Sequence, residues 1–163
     1  MVKFALPFKW RGRVIRYAPL FLWIGLILFL STGQGAMSNT SRFIRPFLEF
    51  LFPNSPEEIL LTYHNYIRKL AHATEYAGLA FFAARAFSSS SVNILQKFWF
   101  VFSIFIVVFI ALTDEYNQSF NPARTGSIYD VWLDVVGGFF MLLLIVIFKS
   151  LGKNKHRMSA ADS

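Results

Sequence analysis

The chain has 163 residues, of which 55% are hydrophobic, 18% are aromatic and 15% are charged, and its formal net charge is +7. Soluble domains draw about a quarter of their residues from Asp, Glu, Lys and Arg, so this composition excludes an ordinary soluble domain and indicates an integral membrane protein. The absence of Cys excludes a disulfide, a thiol nucleophile and a thiolate metal site. Basic tails against an anionic leaflet account for the positive charge, and we therefore expect no nucleic-acid partner.

Four apolar stretches are candidates for membrane spans, since a helix of about 20 apolar residues crosses a hydrocarbon core of about 30 Å. They lie at residues 17–33, 70–87, 98–113 and 128–148. They predict an all-α fold, a polytopic membrane protein with a bundle of four transmembrane helices. The first stretch could also be a cleaved signal peptide, but the later helices already commit the chain to the membrane, so we interpret it as a retained span.

The distribution of Lys and Arg predicts the orientation, because basic residues of short loops stay on the cytoplasmic side. Residues 1–16 form a basic tail, and the connection between the second and third spans contains Arg85 and Lys97. Beyond the membrane domain at 17–151, residues 152–163 form a second basic tail that we predict to be disordered. We therefore predict a multi-pass protein of the plasma membrane with its N-terminus and C-terminus in the cytoplasm.

The connection between the first two predicted spans is long and mixed in character. Residues 42–67 combine large apolar side chains with charges at helical spacing, which predicts helical segments lying in the membrane interface. A hydrophobic loop packed over the bundle is the alternative. Ser55, Pro56 and Glu58 have the pattern of a capping box, which predicts a helix that begins near Pro56 with Ser55 as its N-cap.

Ionisable residues of the second, third and fourth predicted spans fall at one depth, toward the outer leaflet. In the second span, Lys69, His72 and Glu75 recur every three residues and therefore share one face of the helix. The turn sequence at 121–126 places Arg124 over the acidic residues, where it could bind a carboxylate or a phosphate. We predict one shared ligand-binding site with these residues: Lys69, His72, Glu75, Tyr76, Asp114, Glu115, Gln118, Arg124, Asp130 and Asp134.

Such residues are costly inside a membrane, at roughly 2.5 to 3.5 kcal/mol each near the bilayer centre, and usually face a partner or a wet cavity. A purely structural interpretation stays open, with His72 and Glu75 pairing with Lys69 and with Asp130 capping its own helix. Capping explains neither Glu75 nor Asp134, so the cluster as a whole favours a binding site.

Three motifs together resemble the VanZ-like family, which is named for a membrane protein associated with low-level resistance to the glycopeptide teicoplanin. The motifs cover about residues 69–148. They are Lys69-x-x-His72-x-x-Glu75-Tyr76-x-x-Leu79, Asp114-Glu115-x-x-Gln118-x-Phe120-x-Pro122-x-Arg124, and Ser127-x-x-Asp130 followed by Gly137. The chain differs at Ala123, where the family usually has Gly, and at Asp134, where it usually has Asn; the second difference adds a buried acid.

The resemblance implies a role at the cell envelope, with lowered susceptibility to glycopeptide antibiotics, and leaves two classes of function open. In a binding module, an outward-facing polar pocket binds a lipid-linked envelope precursor or a lipophilic antibiotic, with Arg124 on its anionic group. In a membrane-embedded hydrolase or transferase, His72 and Glu75 act as base and orienting acid. Asp114 and Glu115 would then serve as acids or as ligands of a divalent metal. We favour the binding module because the sequence lacks a compact metal motif.

Two adjacent glycines in the fourth predicted span, Gly137 and Gly138, permit close helix packing. We expect packing within one chain, with a homodimer as the alternative. The bilayer is the partner that composition requires, and we expect no organic cofactor.

Overall fold

The computed structural model describes residues 8–31, 37–120 and 127–161, with side chains for 12–31, 41–120 and 127–152. Within these ranges the chain forms helices joined by short turns and no strand, which confirms the predicted all-α class. The helices are α1 (Phe8–Phe29), α2 (Met37–Leu51), α3 (Glu57–Ser88), α4 (Asn93–Lys97), α5 (Trp99–Ser119) and α6 (Ile128–Ala161).

Three helices are long and apolar enough to cross a membrane, namely Gly12–Phe29 of α1, Trp99–Ser119, and Ile128–Gly152 of α6. Few of their side chains are buried inside the bundle, and large ones such as Phe105 and Phe140 are exposed on its outside. Because so much apolar helix surface is compatible only with a lipid environment, these helices indicate a membrane protein with more than one crossing.

The central helix is α3, because α1, α5 and α6 all pack against it. The second predicted span, 70–87, forms its C-terminal half. This half contains Glu75 and Arg85, and α3 is not among the helices that length and composition identify as spans. Composition therefore identifies three spans, not four, in the described part of the chain. In this half of α3, more than half of the buried side chains are alanines, which allow close helix packing. The buried residues of this half are Tyr76, Leu79, Ala80, Ala83, Ala84, Ala86 and Phe87.

Glycines mark the closest approaches to α3. A Cβ atom at Gly137 of α6 would overlap the backbone carbonyl of Ala73. A Cβ atom at Gly78 would lie 2.6 Å from the indole ring of Trp23 on α1, and this indole donates from Nε1 to the carbonyl of Glu75 at 2.9 Å. Both α1 and α6 thus pack on α3 at points where a larger residue would not fit, and Gly137 serves packing within one chain.

The helix α2 lies beside the start of α3 and has two different faces. Leu48 is buried, whereas Phe43 and Phe50 are about four-fifths exposed at 81% and 82%. Arg45 joins the two helices through an ion pair of 2.8 Å with Glu57. This amphipathic pattern agrees with the predicted interfacial segment, whose depth in the bilayer stays a prediction.

The start of α3 differs from the predicted capping box. The helix begins at Glu57, and Pro56, with an extended ψ of 150°, occupies the N-cap position without a side-chain cap. The amides of Ile59 and Leu60 both donate to the Pro56 carbonyl, at 3.0 and 3.2 Å. The predicted start is correct to within a residue, but Ser55 as N-cap is wrong because Pro56 itself takes that position.

The two ends of the bundle carry different charges. At the end where α1 begins and α3 stops, Arg16 donates to the Ser91 hydroxyl at 2.9 Å and Arg85 donates to the Ile15 carbonyl at 3.3 Å. The opposite end, where α5 stops and α6 begins, holds the predicted polar site. Described basic residues of the first end are Arg13, Arg16, Arg85, Lys97 and Lys149.

Candidate functional site

Three helices each bring one ionisable side chain to a common point. His72 lies on α3, Asp114 near the end of α5, and Asp134 in the second turn of α6. One nitrogen or oxygen atom from each residue lies within 4.8 Å of the others. Both carboxylates are buried, whereas His72 is partly exposed. The convergence follows from the chain directions, because α5 runs antiparallel to α3 and α6, so its last turns lie beside the middle of α3 and the start of α6.

Asp114 is held by contacts on two sides. The hydroxyl of Tyr76, which is fully buried, donates to Asp114 Oδ2 at 3.2 Å. The Ser31 hydroxyl donates to the Asp114 backbone carbonyl at 3.3 Å and so ties the end of α1 to α5. These contacts fix the carboxylate while satisfying one of its two oxygens.

Several buried polar atoms around this point lack a hydrogen-bond partner in the described part of the chain. They include Oδ1 of Asp114, Oδ1 of Asp134 and Nε2 of Gln118. The distance from His72 Nδ1 to Asp134 Oδ1 is 3.8 Å, which exceeds the roughly 3.2 Å limit for an N–H···O hydrogen bond. Because proteins satisfy nearly all buried polar groups, this concentration marks a place where a water molecule, an ion or a ligand group completes the structure.

A cleft opens beside the cluster, with an empty volume of about 250 Å³ that includes its open mouth. At its rim, Lys69 Nζ lies 4.0 Å from Asp130 Oδ1. Two lining residues, Arg68 and Leu133, were not predicted. Arg68 precedes His72 by one helical turn, so helical spacing could have identified it, but no chemical pattern singles out Leu133. The lining residues are Arg68, Lys69, His72, Gln118, Asp130 and Leu133.

Glu115, predicted as a site residue, makes a contact that organises the start of α6. Its Oε1 accepts a hydrogen bond from the backbone amide of Ser127. The Ser127 hydroxyl in turn accepts from the Tyr129 amide at 3.3 Å and caps the helix. In the predicted capping box, the carboxylate of Asp130 accepts from the Ser127 amide. This part of the prediction is wrong, because Glu115 supplies that carboxylate. Asp130 instead lies beside Lys69.

Two further predicted residues stand apart from the convergence. Glu75 is partly buried one turn after His72, and its carboxylate is not among the three converging groups. Its backbone carbonyl accepts the hydrogen bond from Trp23. Arg124 lies outside the described residues, so its predicted position over the acidic group stays a prediction.

The fold and this cluster define a class: an all-helical membrane protein with a buried, carboxylate-rich polar site at one end of its bundle. The model of the VanZ/LLP1 family matches residues 17–149, and the chain belongs to that family, as its three motifs predicted. Comparison with curated proteins and with solved structures finds no match.

Proposed function

We propose that the chain crosses the membrane four times, with both termini in the cytoplasm and the polar cluster on the outer side. The 32 residues of α3 span about 48 Å at 1.5 Å per residue, which is enough to cross the bilayer and extend beyond it. Its position among α1, α5 and α6 supports a crossing beside them. The basic residues at the opposite end support the orientation, because such residues stay inside.

The Cys-free sequence allows a direct test of this topology. Asn54→Cys places a thiol before α3, and Asn93→Cys places one at the start of α4, both at exposed positions. We expect a membrane-impermeant maleimide to label Asn54→Cys on intact cells and Asn93→Cys only after permeabilisation. The reverse pattern would contradict the orientation, and labelling of both from outside would contradict the crossing of α3.

The function that the geometry supports best is binding of an envelope ligand with an anionic head group and an apolar tail. The observation that carries this proposal is the cleft, which joins the cations Arg68 and Lys69 to a buried acidic cluster on a lipid-facing bundle. Cationic side chains bind phosphate groups. Exposed Leu70 and Trp132 lie next in sequence to cleft residues and offer apolar surface for a lipid tail.

A lipid-linked envelope precursor and a lipophilic glycopeptide both have this combination of groups. Sequestering the precursor at the outer membrane surface would make it less accessible to glycopeptides, and binding the antibiotic would hold it away from its target. Either event would lower the susceptibility of the cell to glycopeptide antibiotics.

One specific observation favours a second candidate function, a membrane-embedded hydrolase or transferase acting on a lipid-linked substrate. The imidazole of His72 lies 3.8 Å from the buried carboxylate of Asp134. An imidazole beside an orienting acid is a common arrangement for a general base. In this version Asp134 takes the orienting role that the sequence suggested for Glu75.

Susceptibility and protein abundance, measured together in a teicoplanin-susceptible host, test the envelope role. We expect the wild-type protein to lower susceptibility and the variants Lys69→Gln and His72→Ala to lose this effect at normal abundance. Lys97→Gln is the matched control, because it removes the same charge at the opposite end of the bundle. Unchanged susceptibility with the wild-type protein would contradict the resistance role, and reduced variant abundance would indicate a structural role for the residues.

Incubation of the purified protein with a lipid-linked precursor in nanodiscs separates binding from catalysis. Recovery of intact precursor on the wild-type protein, and its loss with Lys69→Gln, would support the binding module. A cleaved or transferred product detected by mass spectrometry, and absent with His72→Ala, would support the enzyme instead.

A further inference from the structure

We infer that His72, Asp114 and Asp134 bind a divalent metal ion, with zinc as the ion that the donor set favours. The proposed ligand site concerns the outer cleft and its cations, whereas this inference concerns an ion on the two buried carboxylates, with His72 common to the cleft and the ion site. It stands on three observations that are independent of any antibiotic or lipid.

The first observation is the geometry of the three donor atoms. They come from three different helices and lie within 4.8 Å of one another. Two atoms that are each about 2.1 Å from one ion can be at most about 4.2 Å apart. The distance of 3.8 Å between His72 Nδ1 and Asp134 Oδ1 is within that limit, although it is too long for a hydrogen bond. Small side-chain movements would therefore bring all three atoms to bonding distance of a shared ion.

The second observation is the excess of negative charge. Asp114 and Asp134 are 3% and 2% exposed, and buried carboxylates are costly unless they are paired. A divalent cation would neutralise both carboxylates and leave the imidazole neutral, as metal ligation requires.

The third observation is the set of unsatisfied buried atoms. Oδ1 of Asp114 and Oδ1 of Asp134 have no hydrogen-bond partner in the described part of the chain. Gln118, 7% exposed and one helical turn after Asp114, also has an unsatisfied Nε2. A proton shared between Asp114 and Asp134 would require a hydrogen bond between their two Oδ1 atoms. Neither atom has a hydrogen-bond partner in the described part of the chain. An ion that takes one oxygen from each carboxylate accounts for both atoms together.

The donor types select the ion. One imidazole nitrogen and two carboxylate oxygens suit zinc, which commonly takes three protein ligands and keeps a further position for water or substrate. Manganese accepts the same donors, whereas magnesium prefers oxygen ligands alone and retains several waters. Tyr76 orients one of the ligands, since its hydroxyl donates to Asp114 Oδ2 and leaves Oδ1 to bind the ion.

Metal loading of the purified full-length protein tests the inference without reference to antibiotic activity. The protein is stripped with a chelator and titrated with ZnCl₂, MnCl₂ or MgCl₂, and metal content and affinity are measured by mass spectrometry and calorimetry. We expect the wild-type protein to retain about one zinc per chain, to bind manganese more weakly and to bind no magnesium.

Two variants and one matched control make the result specific to the cluster. Asp134→Asn is isosteric and should weaken zinc binding at least about tenfold. His64→Gln alters a buried histidine outside the cluster and should leave zinc binding unchanged. If Asp134→Asn does not fold, His72→Gln at the partly exposed position replaces it, with the same loss expected.

Failure of zinc to bind the wild-type protein would overturn the inference, as would equal binding by Asp134→Asn and His64→Gln. The outcome is distinguishable from that of the proposed function. Protein that lowers susceptibility without holding zinc contradicts the metal site alone. Protein that holds zinc without changing susceptibility contradicts the resistance role alone.

Discussion

The hydroxyl of Tyr76 donates a hydrogen bond to Asp114 Oδ2, which joins the central helix α3 to α5 inside the bundle. Tyr76 is four residues from His72, so the helix that supplies the imidazole also orients the carboxylate opposite it. The geometry of the cluster therefore depends on a contact that no solvent reaches.

We predict that Tyr76→Phe destabilises the protein by about 1–3 kcal/mol, because the aromatic packing is kept while a buried carboxylate oxygen loses its donor. Thermal unfolding in detergent measures the change. Tyr129→Phe, at an exposed position, is the control and should unfold like the wild type. An unaltered midpoint for Tyr76→Phe would mean that Asp114 is satisfied in another way.

Gly137→Ala should destabilise the bundle by about 1–3 kcal/mol, because the added methyl group would overlap the Ala73 carbonyl and force α6 away from α3. Gly25→Ala makes the same change where nothing lies within 4 Å of the added atom. We expect this control to be at least as stable as the wild type, since Ala is the better helix former. Equal unfolding temperatures for the two variants would show that α6 can move away from α3 with little loss of stability.

The role of Glu115 can be separated from catalysis by comparing two substitutions. Glu115→Ala removes the acceptor of the Ser127 amide and should weaken the start of α6 by about 1 kcal/mol, which is typical of a lost cap. Glu115→Gln keeps an acceptor oxygen and should retain most of the stability. Faster amide hydrogen exchange at Tyr129 and Val131 in Glu115→Ala alone would support the capping role. Unchanged exchange at these amides in Glu115→Ala would contradict it.

The contact between α2 and α3 should depend on pH through His64. Burial lowers the pKa of His64 below its ordinary value of 6.5, and the positive charge of Arg68 lowers this pKa further. Released from this environment, the imidazole binds its proton at higher pH than it does when buried. The stabilisation by neutral His64 is therefore fully present above pH 6.5 and is lost as the pH falls through the lower pKa of the folded state.

Hydrogen exchange of α2 at about pH 7.5 and about pH 5.5, corrected for intrinsic rates, measures this effect. We expect protection of α2 to decrease at the lower pH, because protonation disfavours the buried position of His64 beside Ser41. His64→Gln should remove the pH dependence. The same decrease in His64→Gln would assign the effect to another group.

The sequence predicted that ionisable residues of three helices meet, because the directions of the spans place them at one depth and residues three apart in the second span share a face. It could not decide between Asp114 and Glu115. Adjacent residues of a helix point about 100° apart, so only one of the two can face the cluster, and the rotation of α5 is set by packing along its whole length. Asp114 faces inward and Glu115 faces the start of α6.

The number of spans was also difficult to predict for a physical reason. A central helix that is surrounded by other helices can present alanines in place of large apolar residues, and it can hold ionisable groups that its neighbours cover. The half of α3 at 70–87 has both features. Its mean hydropathy is therefore lower than expected for a helix that is surrounded by other helices.

The approach of Gly137 to the Ala73 carbonyl has a consequence for two nearby residues, His72, which precedes Ala73, and Asp134, which lies one turn before Gly137. The main chain of α6 at Gly137 already lies against the Ala73 carbonyl, so α3 and α6 cannot move closer as whole helices. This packing sets the helix separation at which His72 Nδ1 and Asp134 Oδ1 are 3.8 Å apart. A substitution that moves these helices would change which ions or molecules fit the gap, even though it touches none of the residues that line it.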